Sequence, residues 1–303
     1  MKCLVVGYGS IGKRHADILQ ELEHIVHVVS RRNVHNFPRY KTIPEALGTS
    51  EFDYVVICNE TVKHYDSFVL LTEIGYCGKK LIEKPLFHKI PEFLDLDISS
   101  TYVAYQLRFH SVILKMLQLI NSKRLHTVHV YVGQYLPDWR PGTEYSKSYS
   151  ASRDNGGGVL RDLSHDLDYV TWFAGRWKRV AAIGGKVSDL SIDSDDVFSL
   201  LLETERCSLI TVQMNYLDRL PRREITINLD DGTLKGDLIN NTLEINGKLS
   251  RIDVERNKPY RDMHQAVLTD DLKYPCSFRE GIEIVKLIEC AEAAAKNRKW
   301  VYR

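Results

Sequence analysis

The first 121 residues alternate short apolar runs with longer amphipathic stretches, a pattern that predicts buried strands separated by helices. The predicted strands are 2–6, 25–30, 54–58, 80–83 and 102–105, and the predicted helices are 10–22, 61–74 and 111–121. Strands and helices in strict alternation are typical of a parallel sheet with helices on both faces. We therefore predict a doubly wound α/β domain over residues 1–121.

The pattern changes after residue 121, where polar and apolar residues alternate with a period of two. Two turn signals, Asp230-Asp231-Gly232 and Asn246-Gly247, interrupt this region and are typical of hairpins. The predicted strands are 127–135, 197–202, 207–216, 223–229, 232–238 and 241–245, with helices at about 156–173 and 278–297. We predict a second, α+β domain over residues 122–303, with a large, mostly antiparallel open sheet that has helices on one face. An uncovered opposite face would favour a homodimer or homotetramer formed through this sheet.

Composition narrows the class of protein. The 303 residues carry 41 Lys and Arg against 40 Asp and Glu, so no strong field favours nucleic acid or an anionic membrane as a partner. No stretch of about 18 apolar residues could span a bilayer. The six scattered cysteines form no C-x-x-C pair, which favours free thiols in a cytoplasmic protein over a disulfide framework or a zinc site.

A glycine fingerprint follows the first predicted strand directly. Gly7, Gly9 and Gly12 form G-x-G-x-x-G between a strand and a helix, the context in which this motif indicates a Rossmann dinucleotide site. Ser10 and Ile11 complete the turn, whose free N–H groups would bind the pyrophosphate. The alternative is a glycine-rich turn without a ligand.

The end of the second strand bears on the choice of cofactor. An acid at this position would bind the adenosine ribose of NAD(H), but the chain has Ser30, Arg31 and Arg32. Two guanidinium groups can grip a 2′-phosphate, so we predict that NADP(H) is preferred over NAD(H). The alternative is that both arginines belong to a solvated loop.

The next strand ends carry further polar clusters. Asn59, Glu60 and Thr61 should lie beside the pyrophosphate and the nicotinamide ribose. His64 follows them and is either a cofactor contact or, more simply, a packed core histidine.

Glu83 and Lys84 end the fourth strand, where the ammonium group would point into the nicotinamide crevice and Glu83 would partly neutralise it. Pro85 fixes the backbone there. Arg108 follows the fifth strand and is a candidate substrate contact.

An irregular loop, 136–155, is rich in aromatic and basic residues, and long loops without secondary structure are usually functional. Trp139, Arg140, Tyr145 and Tyr149 would suit a polyol or a sugar, although they would equally suit contacts between subunits.

Asp162 and His165 lie three residues apart in the helix that follows, so they should share one face. A carboxylate that orients an imidazole is the arrangement that a general base requires. A capped helix start with surface charges is the alternative. A metal site that includes Asp168 is disfavoured because the neighbouring strands offer no further ligand.

Five motifs occur in order, GYGSIGKRH, CNETVKH, EKP, VAYQLRFH and GGGVLRDLSHDLDY. Together they resemble the glucose–fructose oxidoreductase, inositol dehydrogenase and rhizopine-catabolism (Gfo/Idh/MocA) family over nearly the whole chain. The resemblance implies a Rossmann domain, a C-terminal open-sheet domain, and NAD(H)- or NADP(H)-dependent chemistry on a sugar, cyclitol or nucleotide-sugar carbon. It also implies that Lys84 is the motif lysine, His165 the catalytic histidine and Asp162 the nearby acid.

Two positions depart from the family pattern. Arg161 stands where many relatives have the acid, four residues before the histidine, and Asn59-Glu60 stands where relatives often have Thr-Pro. The loop 136–155 and the LRDLSHDLDY pattern look more like members associated with bacterial surface-sugar biosynthesis.

The leading hypothesis is hydride transfer between the nicotinamide and a secondary alcohol or ketone of a sugar derivative. His165, oriented by Asp162, would exchange the hydroxyl proton, and Lys84 would stabilise charge on the same oxygen. One alternative is a dinucleotide-binding regulatory protein without turnover, which would have no need of an acid–base pair. Another is a reductase of an imine or a bilin-like substrate, for which the His–Asp pair would be dispensable.

Overall fold

The computed structural model describes residues 1–92, 96–121 and 123–303. The chain forms two compact units, residues 1–109 with 256–282 and residues 110–255 with 283–303. The predicted boundary lies after residue 121, whereas the structure assigns residues 110–121 to the second unit and residues 256–282 to the first.

The strands follow one another along both units. In chain order they are β1 (Lys2–Val6), β2 (Ile25–Val29), β3 (Arg39–Tyr40), β4 (Tyr54–Ile57), β5 (Lys79–Ile82), β6 (Thr101–Val103), β7 (Leu125–Gly133), β8 (Trp177–Gly185), β9 (Val197–Thr204), β10 (Ile210–Asn215), β11 (Arg222–Leu229), β12 (Gly232–Asp237), β13 (Thr242–Ile245), β14 (Lys248–Arg251), β15 (Cys276–Ser277) and β16 (Val301–Tyr302).

The α-helices connect and cover these strands. In chain order they are α1 (Ser10–Glu21), α2 (Ile43–Thr49), α3 (His64–Glu73), α4 (Ser111–Ile120), α5 (Val159–Asp162), α6 (His165–Ala174), α7 (Lys258–Leu268) and α8 (Phe278–Asn297). Within the described ranges, none is both long and apolar enough to cross a membrane.

The sheet of the first unit has the order β3-β2-β1-β4-β5-β6-β15, in which only the edge strand β15 is antiparallel. The central strand β1 is an unbroken apolar run because helices cover both faces of the sheet, and Cys3, Leu4 and Val5 are fully buried. This is the predicted doubly wound arrangement, and it brings the carboxyl ends of six parallel strands to one edge.

Helix α7 belongs to the first unit although it lies far along the chain. It packs against α1 and places Tyr260, Met263 and Val267 in the core of the parallel sheet. Apolar periodicity shows that a helix has a face to bury, but it does not show which sheet that face will cover.

The second unit is built on a sheet in the order β14-β13-β12-β11-β7-β10-β9-β8-β16. Its neighbouring strands are antiparallel except for β7 and β10, which confirms the predicted, mostly antiparallel sheet. Asn246 (φ 50°) and Gly247 (φ 82°) join β13 to β14 with the left-handed backbone that a two-residue hairpin turn requires.

Helix α4 packs on β12 of this sheet, which places residues 110–120 in the second unit. The contact is close because Gly236 has no side chain: a Cβ there would lie 2.6 Å from the Met116 sulfur.

Helices α4, α5 and α6 pack on strands of this sheet, whereas its other face, which we call the outer face, carries exposed apolar side chains. Ile183 on β8 is 83% exposed and Leu201 on β9 is 44% exposed. Strands β7 to β11 line a concavity of about 1090 Å³ on this face, bounded by Trp300 at its rim.

Candidate active site

The glycine turn after β1 is shaped by close contacts within the first unit. Gly7 has φ +99°, and a Cβ there would lie 2.6 Å from the backbone nitrogen of Asn59. A Cβ on Gly12 would overlap the carbonyl oxygen of Gly7, whereas a Cβ on Gly9 would meet nothing within 4 Å. Gly7 and Gly12 are therefore needed for packing, and Gly9 borders open space.

Helix α1 begins at Ser10 without a side-chain cap and without an acid in its first turn. The first N–H groups of a helix lack partners within that helix and attract anions, most strongly where no acid competes. Open space at Gly9 next to this helix start fits the pyrophosphate of a dinucleotide.

At the end of β2, Ser30 organises the loop that carries the two arginines. Its hydroxyl accepts the backbone N–H of Arg32 at 3.0 Å, and Arg39 donates to the Arg32 carbonyl at 3.2 Å. Arg31 and Arg32 are both exposed, so their guanidinium groups can be reached by a ligand.

The loop after β4 combines a surface charge cluster with a buried amide. Burial opposes ionisation of Glu60, but hydrogen bonds from its own backbone and from Lys63, with the charges of Lys63 and Arg31, lower its pKa. The Asn59 amide donates to the Ser67 hydroxyl at 2.8 Å. Thr61 begins a 3₁₀ turn and is buried, so its backbone is the part that faces the loop.

His64 is a packed residue in this structure, 1% exposed. Its Nδ1 lies 3.1 Å from the Pro85 carbonyl oxygen and 3.2 Å from that of Leu86. Burial lowers the pKa of its ring, which keeps it neutral. The geometry fits the packed alternative, with His64 bound to the backbone that follows Lys84.

Glu83 and Lys84 follow β5 at the same edge of the sheet. The backbone N–H of Glu83 continues the ladder to Ile57, and the N–H of Lys84 donates to Oε2 of Glu83 at 3.0 Å. The peptide bond between Lys84 and Pro85 is cis. Lys84 is half-buried, whereas the Glu83 carboxylate is 7% exposed and also contacts His15, at 2.9 Å.

Arg108 occupies a different environment from the one that a substrate contact suggests. It is 2% exposed, and its Nη1 donates to Glu280 at 2.9 Å within the first unit. This ion pair ties the 3₁₀ turn after β6 to the start of α8. A role for Arg108 toward substrate stays a prediction.

In the second unit, the single helix predicted over about 156–173 is two helices, α5 and α6. Leu163 leaves the helical region (φ −99°, ψ 19°) and ends α5, and the backbone N–H of Asp166 then donates to the Leu163 carbonyl as α6 begins. Asp162 is consequently the last residue of α5 and His165 the first of α6, and both are at least 94% buried.

Two tyrosines from distant parts of the second unit interact with the Asp162 carboxylate. Tyr216, after β10, donates its hydroxyl to Oδ2 at 2.7 Å, and Tyr149 lies close enough for the Asp162 charge to raise the pKa of its phenol. Burial, followed by the Asp162 charge, raises the pKa of both phenols, so both remain donors. Tyr216 was not predicted from the sequence, because it lies 54 residues from Asp162.

The loop 136–155 contributes to this cluster. Trp139 packs edge-on against Tyr216 at 5.1 Å, and the Arg140 guanidinium lies over the Tyr149 ring at 5.4 Å. The structure thus brings together Trp139, Arg140, Tyr149 and Asp162. Tyr145 lies apart from them, with its hydroxyl accepting the Ser191 N–H at 3.1 Å.

Two further carboxylates support the helix pair. Asp166 is fully buried between the Tyr169 hydroxyl, at 2.5 Å, and the Arg223 guanidinium, at 3.1 Å. Asp195 accepts the Leu160 N–H at 3.1 Å, and burial raises its pKa to about 6. Over the described ranges of the chain, no group of three or more His, Cys, Asp or Glu side chains is arranged to hold a metal ion.

A parallel sheet with a glycine-lined helix start defines the chain as a nucleotide-binding protein of the Rossmann class. Residues 1–97 match the model of an oxidoreductase family with an NAD-binding Rossmann fold, and residues 113–235 match the GFO/IDH/MocA C-terminal domain. The chain belongs to the Gfo/Idh/MocA family and is an NAD-binding oxidoreductase.

Solved structures share this fold at low sequence identity. GenD2 from gentamicin A biosynthesis, in complex with NAD, has a TM-score of 0.84 and 19% identity over 100% of this chain and 96% of its own. UDP-N-acetylglucosamine 3-dehydrogenase from Acidithiobacillus ferrooxidans has a TM-score of 0.77 and 18% identity, covering 98% of each chain. The WlbA dehydrogenase from Bordetella pertussis, in complex with NADH and UDP-GlcNAcA, has a TM-score of 0.79 and 15% identity over 100% of this chain and 97% of its own. The comparison with curated proteins finds no match.

Proposed function

We propose that this oxidoreductase interconverts a secondary alcohol and a ketone on a sugar, cyclitol or nucleotide-sugar, with NADP(H) preferred over NAD(H). The observation that carries the proposal is the buried Asp162 carboxylate, which accepts the Tyr216 hydroxyl and lies three residues before His165. A fold that needed only to bind a dinucleotide would gain nothing from this cluster, since burying a carboxylate costs free energy.

The first unit supplies the cofactor groups. When bound, the nicotinamide accepts or gives the hydride. The N–H groups of the turn at Gly9, Ser10 and Ile11 would hold its pyrophosphate, and the exposed Arg31 and Arg32 would hold a 2′-phosphate. Asn59, Glu60 and Thr61 line the neighbouring strand end, where Nε2 of His64 lies 3.2 Å from the Asn59 carbonyl oxygen.

The proton chemistry is assigned to His165 and Lys84. His165 would take the hydroxyl proton during oxidation and return it during reduction, a role worth about 10²–10⁴ in rate. Lys84 would stabilise the negative charge that develops on the substrate oxygen. Asp162, fixed by the Tyr216 hydroxyl, would keep its charge close to His165 and stabilise the imidazolium.

Two features support a sugar-like substrate. Trp139 and Arg140 belong to the cluster around Asp162, and aromatic and guanidinium groups suit a polyol ring and its hydroxyl or phosphate groups. Two of the structural neighbours are dehydrogenases described with UDP-sugars.

The test is substitution of the two assigned groups with dinucleotide binding measured alongside. We expect Lys84→Ala and His165→Ala to lower kcat at least about 100-fold with UDP-N-acetylglucosamine or a related sugar as substrate. Calorimetric titration with NADPH and NADH should give unchanged affinities for His165→Ala, with NADPH the tighter ligand. Lys89→Ala and His126→Ala, at exposed positions, are the matched controls.

Three results would contradict the proposal in whole or in part. If both variants keep an activity within a few-fold of that of the unmodified protein, Lys84 and His165 do not have the assigned roles. Tight dinucleotide binding without turnover of any sugar or cyclitol would favour the regulatory alternative, and tighter binding of NADH would overturn the role of Arg31 and Arg32 while the oxidoreductase assignment stands.

A further inference from the structure

A buried series of hydrogen-bonded side chains lies behind Glu83 within the first unit. The Tyr54 hydroxyl is 3.1 Å from Nδ1 of His264, and Nε2 of His264 is 2.8 Å from Nδ1 of His15. Nε2 of His15 is 2.9 Å from Oε1 of Glu83, whose Oε2 accepts the Lys84 N–H. Residues from β4, α7, α1 and the end of β5 are joined in this series, which we call the histidine series.

Only one arrangement of protons satisfies the histidine series when both rings are neutral. The Glu83 carboxylate can only accept, so His15 must carry its proton on Nε2 and accept at Nδ1. His264 must then donate from Nε2 and accept the Tyr54 hydroxyl proton at Nδ1. Burial strongly lowers the pKa of His264 and raises that of Tyr54, so this arrangement is maintained.

The histidine series does not lead to solvent at its far end. Tyr54, His264 and His15 are each 0% exposed, and Tyr54 belongs to the hydrophobic core of the parallel sheet. A path for protons would need an exit, so the series is better suited to orient than to conduct. The group that it orients is the Glu83 carboxylate, which is fixed through both of its oxygens.

A second histidine holds the segment that follows. His64 contacts the carbonyl oxygens of Pro85 and Leu86, whereas Glu83 holds the N–H of Lys84. The backbone on either side of the Lys84 side chain is thus attached to buried groups from α1 and α3. A flexible lysine gains precision only when its main chain is fixed in this way.

We infer that His15, oriented by His264 and Tyr54, is a positioning residue that fixes Glu83 and thereby the main chain of Lys84. The inference rests on the proposed function only for the catalytic role of Lys84. The hydrogen-bond chain itself predicts a measurable property of the protein without any substrate, which is slow exchange of the Lys84 amide proton.

The experiment compares three substitutions of His15 by hydrogen exchange of backbone amides. In His15→Gln the side-chain amide reaches the position of the histidine Nε2 and can donate to Glu83. In His15→Asn the amide reaches only the position of Nδ1, and in His15→Leu there is no polar group at either position. We expect exchange at Lys84 to be on the order of tenfold faster or more in His15→Asn and His15→Leu, because a charge-assisted hydrogen bond is lost. His15→Gln should stay within about threefold of the unmodified protein by the same reasoning.

Two internal controls separate this effect from general loosening. The Glu83 amide donates to Ile57 in the sheet ladder, so its exchange should not change in any variant. His27→Gln removes a partly buried histidine of β2 that contacts Tyr40 on β3, and exchange at Lys84 should be unaffected. If the His15 variants do not fold, Glu83→Ala tests the same bond, because it removes the acceptor of the Lys84 N–H, and Lys84 exchange should rise.

Activity provides the second measurement, with UDP-N-acetylglucosamine and NADPH or NADP⁺ as the probes. We expect kcat to be highest in His15→Gln, lower in His15→Asn and lowest in His15→Leu, while the KM for the dinucleotide stays constant. Equal Lys84 exchange rates in all three variants would overturn the inference whatever the activity. An increase in Lys84 exchange in His15→Gln as large as that in His15→Leu would overturn it too. If Lys84 exchange follows the expected pattern but the protein turns over no sugar, the positioning role of His15 stands and the proposed function is wrong.

Discussion

At the scale of single residues, the second unit contains several carboxylates that are buried rather than solvated, and each has identifiable partners. Asp166 is paired with Arg223 and Tyr169, whereas Asp195 receives a backbone N–H from Leu160 and lies near the Glu292 charge. Burial raises the pKa of Asp195 to about 6. This residue should therefore leave a signature in the pH dependence of stability.

We predict that Asp195 destabilises the folded chain as the pH rises from about 4 to 6. The folded state binds the proton more tightly than the unfolded state, in which the pKa is near 3.8, so its contribution to stability is present below pH 3.8 and lost by pH 6. A shift of about two units corresponds to at most about 3 kcal/mol. The free energy of unfolding of Asp195→Asn, measured relative to that of the unmodified protein, should therefore be higher at pH 7 than at pH 4 by up to that amount.

Urea unfolding at the two pH values, followed by tryptophan fluorescence, is the measurement. All four tryptophans lie in the second unit, so the signal reports the unit that contains Asp195. Asp189→Asn, at an exposed position in the same segment, is the control. An Asp195→Asn variant whose stability follows that of the unmodified protein at both pH values would contradict the prediction.

At the scale of elements, the strand–turn–helix of residues 2–21 separates glycines required for folding from a glycine that borders ligand space. Gly12 could not carry a Cβ without overlap with the Gly7 carbonyl oxygen, whereas Gly9 could. Gly9 has an ordinary φ of −80°, so alanine would not strain its backbone.

We predict that Gly9→Ala folds normally but binds dinucleotide at least about tenfold more weakly, a loss of about 1.4 kcal/mol. The added methyl group would occupy the space that the pyrophosphate needs. Calorimetric titration with NADPH and NADH measures the affinity, and urea unfolding measures stability. Gly48→Ala is the matched control, because a Cβ there also meets nothing within 4 Å and the residue lies in α2, outside the turn. Unchanged affinity in Gly9→Ala would place the ligand elsewhere.

At the scale of the whole molecule, the outer face of the large sheet exposes apolar side chains that no element of the described chain covers. Ile183 and Leu201 are exposed there on adjacent antiparallel strands, β8 and β9, around the concavity. A sheet face that presents the same apolar patch in each copy can pack on itself about a two-fold axis. We propose that a second copy of this chain covers it.

The expected result is a dimer or a tetramer of the 34.9 kDa chain in light scattering coupled to size-exclusion chromatography. Ile183→Glu should shift the mass toward that of the monomer, because it places a charge in the centre of an apolar contact. Ile74→Glu, at an exposed apolar position in the first unit, should not. A monomeric unmodified protein would exclude this assembly.

The sequence by itself determined the features that depend on neighbours along the chain. Apolar runs and glycine spacing predicted β1, α1 and the turn between them, and Asn246-Gly247 predicted its hairpin, because local backbone geometry limits which residues fit. The family resemblance added the roles of Lys84, Asp162 and His165. The break at Leu163 was missed since both helices share one apolar period.

The tertiary structure decided what depends on residues far apart in sequence. Tyr216 reaches Asp162, Arg223 reaches Asp166, and His264 reaches His15 across 249 positions. The same is true of α7, which joins the parallel sheet although it follows the antiparallel one, and of Arg108, which pairs with Glu280. No local pattern encodes such contacts, because they arise when buried polar groups must find partners as the two cores close.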